Sequence, residues 1–360
     1  MTLPFDRLVS ATCRQSFDAR HWILLSLIGC AVACSEQPRS GQFSGPTMGT
    51  VYAVSWHDVA DGQGCQVSQA EVAELLVQIN AAMSTYQSDS ELSRLNQTRA
   101  DVWVELSPEL AEVLSAAQTI WRQSAGAFDV TVGPLVNLWG FGPDSGVIRP
   151  SQEQQRRAGE YVGMDKLEIV GSRLRKQHAD LYIDLSALAK GYAVDRVAQL
   201  MSQRGCDQFM VDIGGEIRTK GRNPRGKTWQ IGIEVPDPGQ LGTLHTVLGL
   251  SDLSIATSGD YRNFRLVDGV RVDHVIDPRS RLPATNTVVS ATVLHPSAMW
   301  ADAYATVLMV LGVEEGLAFA DEQGFPAYVM YRTSMPDDSQ TFSFAARYNS
   351  HMAGFLPVVE

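Results

Sequence analysis

Basic residues are in short supply in this sequence. Its 29 Lys and Arg residues stand against 40 Asp and Glu, which gives a formal net charge of -11. Non-specific nucleic-acid binding needs a basic surface, so nucleic acid is excluded as a partner. An anionic substrate is not excluded, because a bound metal ion can invert the local field. With 360 residues, 44% of them hydrophobic, the chain is long and apolar enough for a sizeable globular core.

Cysteine is scarce as well, and its spacing excludes the common zinc sites. The five cysteines form no C-x-x-C pair and no Cys/His pattern of the zinc-binding kind. Cys65 and Cys206 lie inside the chain and could pair in an oxidising compartment, a question that the sequence leaves open. The double glycine of VDIGGE (211–216) lacks the G-x-G-x-x-G and Walker patterns, so we interpret it as a tight turn or a site of close backbone approach.

The first 33 residues predict a signal peptide of the lipoprotein type. Three arginines precede an apolar run at 22–33 that is too short for an ordinary membrane span. Cys30 in LIGC has the apolar–small–Cys pattern of a bacterial lipobox, and Cys34 in AVAC is followed directly by polar residues. We slightly favour lipidation of Cys30 over Cys34, with residues 34–44 as a tether. The alternatives are a transmembrane anchor or a buried strand.

Hydrophobic periodicity predicts an α+β fold in which mixed sheets are combined with several long helices. A capping box at 68–71, Ser107-Pro108 and the segment 186–204 each predict the start of a helix. Alternating or apolar runs predict strands at 47–56, 209–215, 229–235 and 287–294. Runs of strands mixed with a few helices favour α+β over regular βαβ winding, and no change of composition marks a domain boundary.

Residues 297–312 predict a helix that carries a metal-binding pair. Asp302 and Thr306 are four positions apart and would share one helix face. A carboxylate and a hydroxyl are hard oxygen ligands, which suit Mg²⁺ better than zinc or copper. In the alternative reading, Asp302 only favours the early turns of the helix electrostatically and Thr306 is an ordinary helical residue.

Three further segments carry candidate ligand contacts. Asp184 and Lys190 flank a predicted helix start, where phosphate is attracted, although Asp184 could simply cap the helix and Lys190 could face solvent. The glycine-rich, aromatic segment 126–143 contains Asp129 and would allow a flat or phosphorylated ligand close to the backbone; the alternative is a buried strand with loops. His274 lies beside Asp273, just before the end of the short strand predicted at HVIDP, and is a candidate acid or base; a structural role is the alternative.

In their order along the chain, these segments resemble the ApbE family, the FAD:protein FMN transferases. The resemblance rests on TMGT (47–50), MSTYQSDSELSRLN (83–96), GAFDVTVGPLVNLWGFGP (126–143), IDLSALAKGYAVD (183–195), DIGGEI (212–217), SIATSGDY (254–261), HVIDP (274–278) and ADAYAT (301–306). It covers nearly the whole mature chain. It implies an ApbE-like, T-fold-related, two-lobed single catalytic domain over residues 45–350.

The resemblance also assigns roles to individual residues. Mg²⁺ would be held by the backbone carbonyl of Ala187 together with Asp302 and Thr306. Lys190 stands where some family members have Glu. The residues that look like FAD contacts are Met48, Tyr86, Ala127, Phe128, Asp129, Asp184, Lys190 and Ile276.

The reaction implied by the family is transfer of FMN from FAD to a Ser or Thr hydroxyl, with release of AMP. We assign the role of base to His274, because an unactivated hydroxyl is a poor nucleophile. The expected acceptors are flavoproteins of respiratory membrane complexes, such as Rnf/Nqr-type subunits, and the expected location is the periplasmic side of the inner membrane, with a lipid anchor. The alternatives are an Mg²⁺-dependent FAD pyrophosphatase and a non-catalytic FAD-binding lipoprotein.

Overall fold

The computed structural model describes residues 39–59, 64–142, 149–240, 242–260, 264–267, 270–333 and 343–357. The predicted signal peptide and both lipidation candidates, Cys30 and Cys34, lie outside these residues. Residues 40–44, predicted as the end of the tether, belong instead to the first strand.

The helices of the described residues begin largely where their capping signals predict. Ser68 caps the first helix with the predicted capping box to Glu71, and Ser107 caps the third, with Pro108 in its first turn. The helices are α1 Gln69–Met83, α2 Glu91–Asn96, α3 Pro108–Gln123, α4 Gly133–Leu138, α5 Gln152–Glu160, α6 Ala189–Gln203 and α7 Ala298–Gln323. Short 3-10 helices occupy Met164–Lys166, Pro238–Gln240 and Ala353–Phe355.

In the part of the chain that the structure describes, the strands form one large sheet and four small ones, which confirms the α+β class. The strands are β1 Ser40–Thr47, β2 Thr50–His57, β3 Val104–Glu105, β4 Leu167–Val170, β5 Arg173–Lys176, β6 Phe209–Ile213, β7 Glu216–Lys220, β8 Trp229–Glu234, β9 Leu244–Leu250, β10 Ser254–Gly259, β11 Phe264–Val267, β12 Val270–Asp273, β13 Ile276–Asp277, β14 Leu282–Pro283, β15 Val288–His295, β16 Ala327–Thr333 and β17 Ser343–Tyr348.

The large sheet has eight strands in the order β1-β2-β6-β7-β10-β15-β16-β17. Each neighbouring pair in it is antiparallel. The remaining sheets are β3-β5-β4 and the hairpins β8-β9, β11-β12 and β13-β14. A single parallel contact among the described residues is an isolated bridge between Val132 and Tyr182.

Different layers cover the two faces of the large sheet. On one face α6 and α7 bury apolar side chains against strand residues such as Val211, Ile213 and Ala256. On the other face the β8-β9 hairpin packs Ile231 and Ile233 into a second core cluster. The large sheet is therefore a central layer between the helices and the hairpin.

By length and composition, helix α7 is long and apolar enough to cross a membrane, with a mean hydropathy of 1.5. However, 67% of the most apolar part of this helix is buried inside the protein, so α7 is a core helix.

The helix predicted over 297–312 is shorter than the observed one, because α7 continues to Gln323 past a non-helical Gly312 with φ 82°. The Asn286 side chain donates hydrogen bonds to the carbonyls of Met309 and Val310, and so satisfies groups near the interruption.

Two local predictions need correction. Helix α6 begins at Ala189 rather than Ser186, because residues 186–188 form a turn in which the Asp184 carboxylate accepts hydrogen bonds from the Ser186 backbone and hydroxyl at 2.9 and 2.5 Å. Asp184 therefore does not cap the helix. The predicted strand at HVIDP reduces to β13, two residues long, and His274 lies outside it.

Cys65 and Cys206 form a disulfide across 141 residues of sequence. Both cysteines are buried in the main core cluster. The bond joins the segment before α1 to the segment after α6, and so resolves the question that the sequence left open.

Helix α6 can approach α7 closely only because residue 191 is glycine. A Cβ atom at Gly191 would lie 2.3 Å from the backbone carbonyl oxygen of Ala298, which cannot move without shifting α7. We expect Gly191→Ala to lower the free energy of unfolding by about 1–3 kcal/mol, as overpacking does. The matched control is Gly354→Ala, since a Cβ there meets nothing within 4 Å. Equal melting temperatures for the two variants would contradict this account.

Candidate active site

A single cavity of about 850 Å³ gathers the residues selected from the sequence. Its lining includes strand, helix and loop residues that are far apart along the chain. The sequence-predicted residues on its wall are Met48, Tyr86, Ala127, Phe128, Asp129, Asp184, Ala187, Lys190, His274, Ile276, Asp302 and Thr306. Their roles stay predictions, but their convergence on one cavity is what a shared ligand requires.

The two proposed side-chain metal ligands lie on the helix side of the cavity. Asp302 is only 4% exposed, and one of its carboxylate oxygens accepts a hydrogen bond of 3.1 Å from the backbone of Gly191. The Thr306 hydroxyl lies 3.2 Å from the Ser258 hydroxyl and donates back to the Asp302 carbonyl at 3.4 Å, as helical spacing allows. Ala187 precedes α6 at the same cavity wall.

A buried ion pair lies next to Asp302. The Lys190 ammonium is 2.6 Å from one carboxylate oxygen of Glu216, a side chain that is only 2% exposed. The second oxygen, Oε2, is buried and has no hydrogen-bond partner among the described residues. Such an orphaned acceptor at a cavity wall marks a place where a ligand donor, water or cation would be stabilised.

The electrostatics of this cluster favour a cation. Burial raises the pKa of Asp302, and burial together with repulsion from Asp302 raises the pKa of Glu216, although Lys190 pulls both down. Burial opposes the charge on Lys190, but the Asp302 and Glu216 carboxylates outweigh it, so the pKa of Lys190 is raised. The pKa values of both carboxylates are raised, so a further cation beside them would stabilise their charged forms. An oxygen-ligated cation such as Mg²⁺ fits that charge and donor set.

The described residues contain no cluster of three or more His, Cys, Asp or Glu side chains that could hold a metal. A metal site at α7 would therefore depend on one carboxylate, Asp302, together with neutral oxygens. Asp302 should then contribute most of the charge-based affinity.

The other predicted flavin contacts line the same cavity. Met48 has φ 47° in the turn between β1 and β2, and Tyr86 is 71% exposed, so its ring is available to a ligand. Phe128 is buried.

Asp129 has a structural role, which the sequence did not reveal, as an acceptor of hydrogen bonds from its neighbours. Its carboxylate accepts hydrogen bonds from the backbone and hydroxyl of Thr131 at 2.8 and 2.5 Å, and from the Met164 backbone at 2.9 Å.

The candidate base, His274, is half-buried on the cavity wall. The centre of its ring is 6.2 Å from that of Phe141, and the two rings meet edge to face. Phe141 also lines the cavity, so this contact orients the imidazole beside the substrate space.

Sequence reasoning missed several residues of the site. Glu216 and Ser258 lie within quoted motifs, but a Glu at the start of one strand and a Ser near the end of another carry no spacing signal of their own. Gly214 and Gly215 form the expected tight turn, with φ 64° and 103°, and the Gly215 backbone donates to Asp212 at 2.9 Å. The pairing of Lys190 with Glu216 becomes visible only in three dimensions, because it joins helix α6 to strand β7.

Comparison with known proteins decides the family. The sequence profile of the ApbE family matches residues 48–329. This chain belongs to the ApbE family. It is similar to the FAD:protein FMN transferase of Vibrio cholerae, with 41% identity over 316 residues, covering 87% of this chain and 94% of the relative. The enzyme of the same name from Haemophilus influenzae is also 41% identical, covering 84% of this chain and 89% of that relative.

Solved ApbE structures show the same fold. The flavin transferase ApbE from Vibrio cholerae aligns with a TM-score of 0.80 at 40% identity, covering 89% of this chain and 100% of that chain. The apo flavinyl transferase ApbE of Pseudomonas stutzeri also gives a TM-score of 0.80, at 35% identity, covering 90% of this chain and 99% of that chain. The α+β architecture is thus an ApbE architecture.

The Lys190–Glu216 pair allows a prediction about pH. Glu216→Gln keeps the size of the side chain but removes a charge that raises the pKa of Lys190. The pKa of Lys190 should fall, so any activity that needs its ammonium should be lost at a lower pH than in the wild type. An unchanged pH profile would contradict the role, and the exposed Glu322→Gln on α7 is the control.

Proposed function

We propose that this chain transfers the FMN part of FAD to a Ser or Thr hydroxyl of an acceptor flavoprotein, in an Mg²⁺-dependent reaction that releases AMP. The observation that carries the proposal is the single cavity, which combines the acidic Asp302–Thr306 end, the Lys190 ammonium and a histidine. Support also comes from the names of the relatives at 41% identity.

Different residues of the cavity would bind the metal ion, the phosphates and the flavin in such a transfer. The Ala187 carbonyl, Asp302 and Thr306 would hold Mg²⁺, which supplies charge neutralisation for a pyrophosphate. Lys190 binds a phosphate oxygen, and Tyr86 and Phe128 contact the flavin end. These contacts hold the pyrophosphate in one orientation, which is most of what phosphoryl transfer needs from a protein.

His274 would act as the base for the acceptor hydroxyl. Its imidazole accepts the proton of the acceptor hydroxyl while that oxygen attacks the phosphorus of the FMN half. The new bond is a phosphoester between FMN and the acceptor. The bond that breaks joins this phosphorus to the bridging oxygen, which leaves with AMP. Cys65 and Cys206 are bonded to each other, so neither serves as a covalent nucleophile.

One incubation tests the reaction. Purified protein with FAD, Mg²⁺ and a respiratory flavoprotein fragment should add one FMN per acceptor hydroxyl, seen by mass and by in-gel flavin fluorescence, and release an equal amount of AMP. Changing the acceptor Ser or Thr to Ala should stop the labelling. AMP release at the same rate without acceptor, giving only free FMN, would instead indicate a pyrophosphatase. FAD binding without any turnover would indicate a binding lipoprotein.

The cellular setting is part of the proposal. We infer an exported protein, anchored by N-terminal lipid on the periplasmic side of the inner membrane, which acts on subunits of respiratory complexes of the Rnf/Nqr type. The disulfide between Cys65 and Cys206 supports an oxidising compartment, since such bonds rarely persist in a reducing one.

Lipidation has a direct test. Cells fed a fatty-acid probe should label the protein, and Cys30→Ala should abolish the label if Cys30 is the modified residue. Loss of label only in Cys34→Ala would move the site to the second cysteine. Export without label in the wild type would refute the lipoprotein assignment.

A further inference from the structure

The large sheet is open at the point where the cavity meets it. Between β7 and β10 only two residue pairs are in register, Ser254 with Arg218 and Ile255 with Ile217. Beyond Ile255 the strand β10 continues to Gly259 without pairing to β7. The ladder between these neighbours therefore ends early and leaves a gap in the sheet.

Residues from both faces of the sheet line the same cavity at this gap. Ser258 and Glu216 face the helix layer, where they contact Thr306 and Lys190. Ile217 and Ile255 belong to the core cluster on the hairpin side. All four are on the cavity wall, so the cavity passes from the helix layer to the hairpin layer through the gap.

On the hairpin side the cavity ends at the edge of β8. Successive side chains of a strand point to opposite faces, so a cavity on one face would touch alternate residues. Here the consecutive residues 230–234 all line the cavity, including the buried Ile231 and Ile233 and the exposed Gln230 and Gly232. The wall is therefore the edge of the strand, with its backbone groups. Among the described residues, β8 forms a ladder with β9 alone, so at 230–233 the edge facing the cavity has no described strand beside it.

We propose that this edge of β8 binds the acceptor protein, as an extended segment that adds next to β8 and brings its hydroxyl to the transfer site through the gap in the sheet. The proposal rests on the proposed function. An unpaired edge recognises an extended chain by main-chain hydrogen bonds, with little dependence on sequence.

The occupant follows from the position of the edge. A protein acceptor must be able to place a side-chain oxygen within bonding distance of a phosphorus in the cavity. An extended segment can, because it exposes its side chains alternately along a narrow ribbon.

Hydrogen exchange tests the docking without requiring turnover. The probe is an acceptor fragment that the wild-type protein labels, used with its acceptor Ser or Thr changed to Ala. In the presence of FAD and Mg²⁺, we expect this fragment to slow exchange of alternate backbone amides in 229–234 by about tenfold or more. The matched control is β17, the edge strand of the large sheet, whose amides in 343–348 should not change.

The other outcomes are distinct. No slowing in 229–234 with a fragment that is labelled normally would overturn the docking proposal and leave the transferase intact. Slowing by FAD alone would assign the edge to the nucleotide and also overturn it. If no fragment is labelled, the proposed function itself fails.

As a second measurement, a photoreactive phenylalanine analogue placed at Gln230 should crosslink to the acceptor, whereas the analogue at the exposed Tyr348 should not.

Discussion

Replacing Asp302 with alanine should lower FMN transfer by several orders of magnitude. Asp302 is the single carboxylate in the proposed ligand set, and it is almost completely buried beside Lys190. Without it, the Ala187 carbonyl and the Thr306 hydroxyl offer only neutral oxygens, and Mg²⁺ would bind weakly. A metal ion that neutralises phosphate charge is worth several kcal/mol, and each 1.36 kcal/mol is a factor of ten in rate.

The measurement should separate metal binding from folding. Mg²⁺ titrations of transfer should show a steep loss of apparent affinity in Asp302→Ala, and high Mg²⁺ should restore part of the rate. FAD binding through the flavin end should survive, as seen by fluorescence. Asp321→Ala is the matched control, since it makes the same change at an exposed position of the same helix. Near-normal activity of Asp302→Ala at ordinary Mg²⁺ would show that the metal site is elsewhere.

The sequence predicted the parts of the site that depend on local spacing. Asp302 and Thr306 share a helix face because four residues make about one turn, and their hydrogen bond of 3.4 Å reflects that spacing. The capping signals at Ser68 and Ser107 placed two helix starts correctly, because a cap is a contact between near neighbours. The ordered motifs identified the family, and with it the residues that share the cavity.

Contacts between distant segments were beyond the reach of the sequence. Nothing in the turn-and-strand pattern of 211–216 indicates that Glu216 is buried against Lys190, since that pairing depends on how α6 packs on β7. Helix α6 starts late because the Asp184 carboxylate bonds to Ser186 instead of capping the helix. The early end of the β7–β10 ladder is likewise a property of the sheet, not of either strand.

The charges of the cavity also became visible only in three dimensions. The sequence does not distinguish a carboxylate that becomes buried on folding from one that stays exposed. In the folded protein, burial raises the pKa of both Asp302 and Glu216. A buried carboxylate such as Asp302 beside the Lys190–Glu216 ion pair would be costly if left uncompensated. The protein retains this arrangement at the place where a cation and a pyrophosphate would complete it, which is why we consider it functional rather than structural.

His274→Ala should slow transfer by roughly 10²–10⁴-fold, the usual contribution of a positioned base. The expected effect is on the rate of transfer at saturating FAD, because the imidazole would act on the acceptor hydroxyl rather than bind the flavin. A base must be unprotonated, so wild-type transfer should fall as the pH is lowered. This acid limb should disappear in the variant. Added imidazole should recover part of the rate in His274→Ala, which a merely structural role would not allow.

The control for this prediction is His351→Ala, which removes an exposed histidine away from the cavity and should leave transfer unchanged. Metal binding should also be normal in His274→Ala, because its ring is not among the proposed oxygen ligands, so Mg²⁺ titrations distinguish it from Asp302→Ala. If the variant keeps the acid limb and gains nothing from imidazole, His274 only shapes the cavity wall with Phe141. In that case the proton of the acceptor hydroxyl leaves by another group, and Glu216, with its raised pKa and orphaned oxygen, becomes the next residue to test.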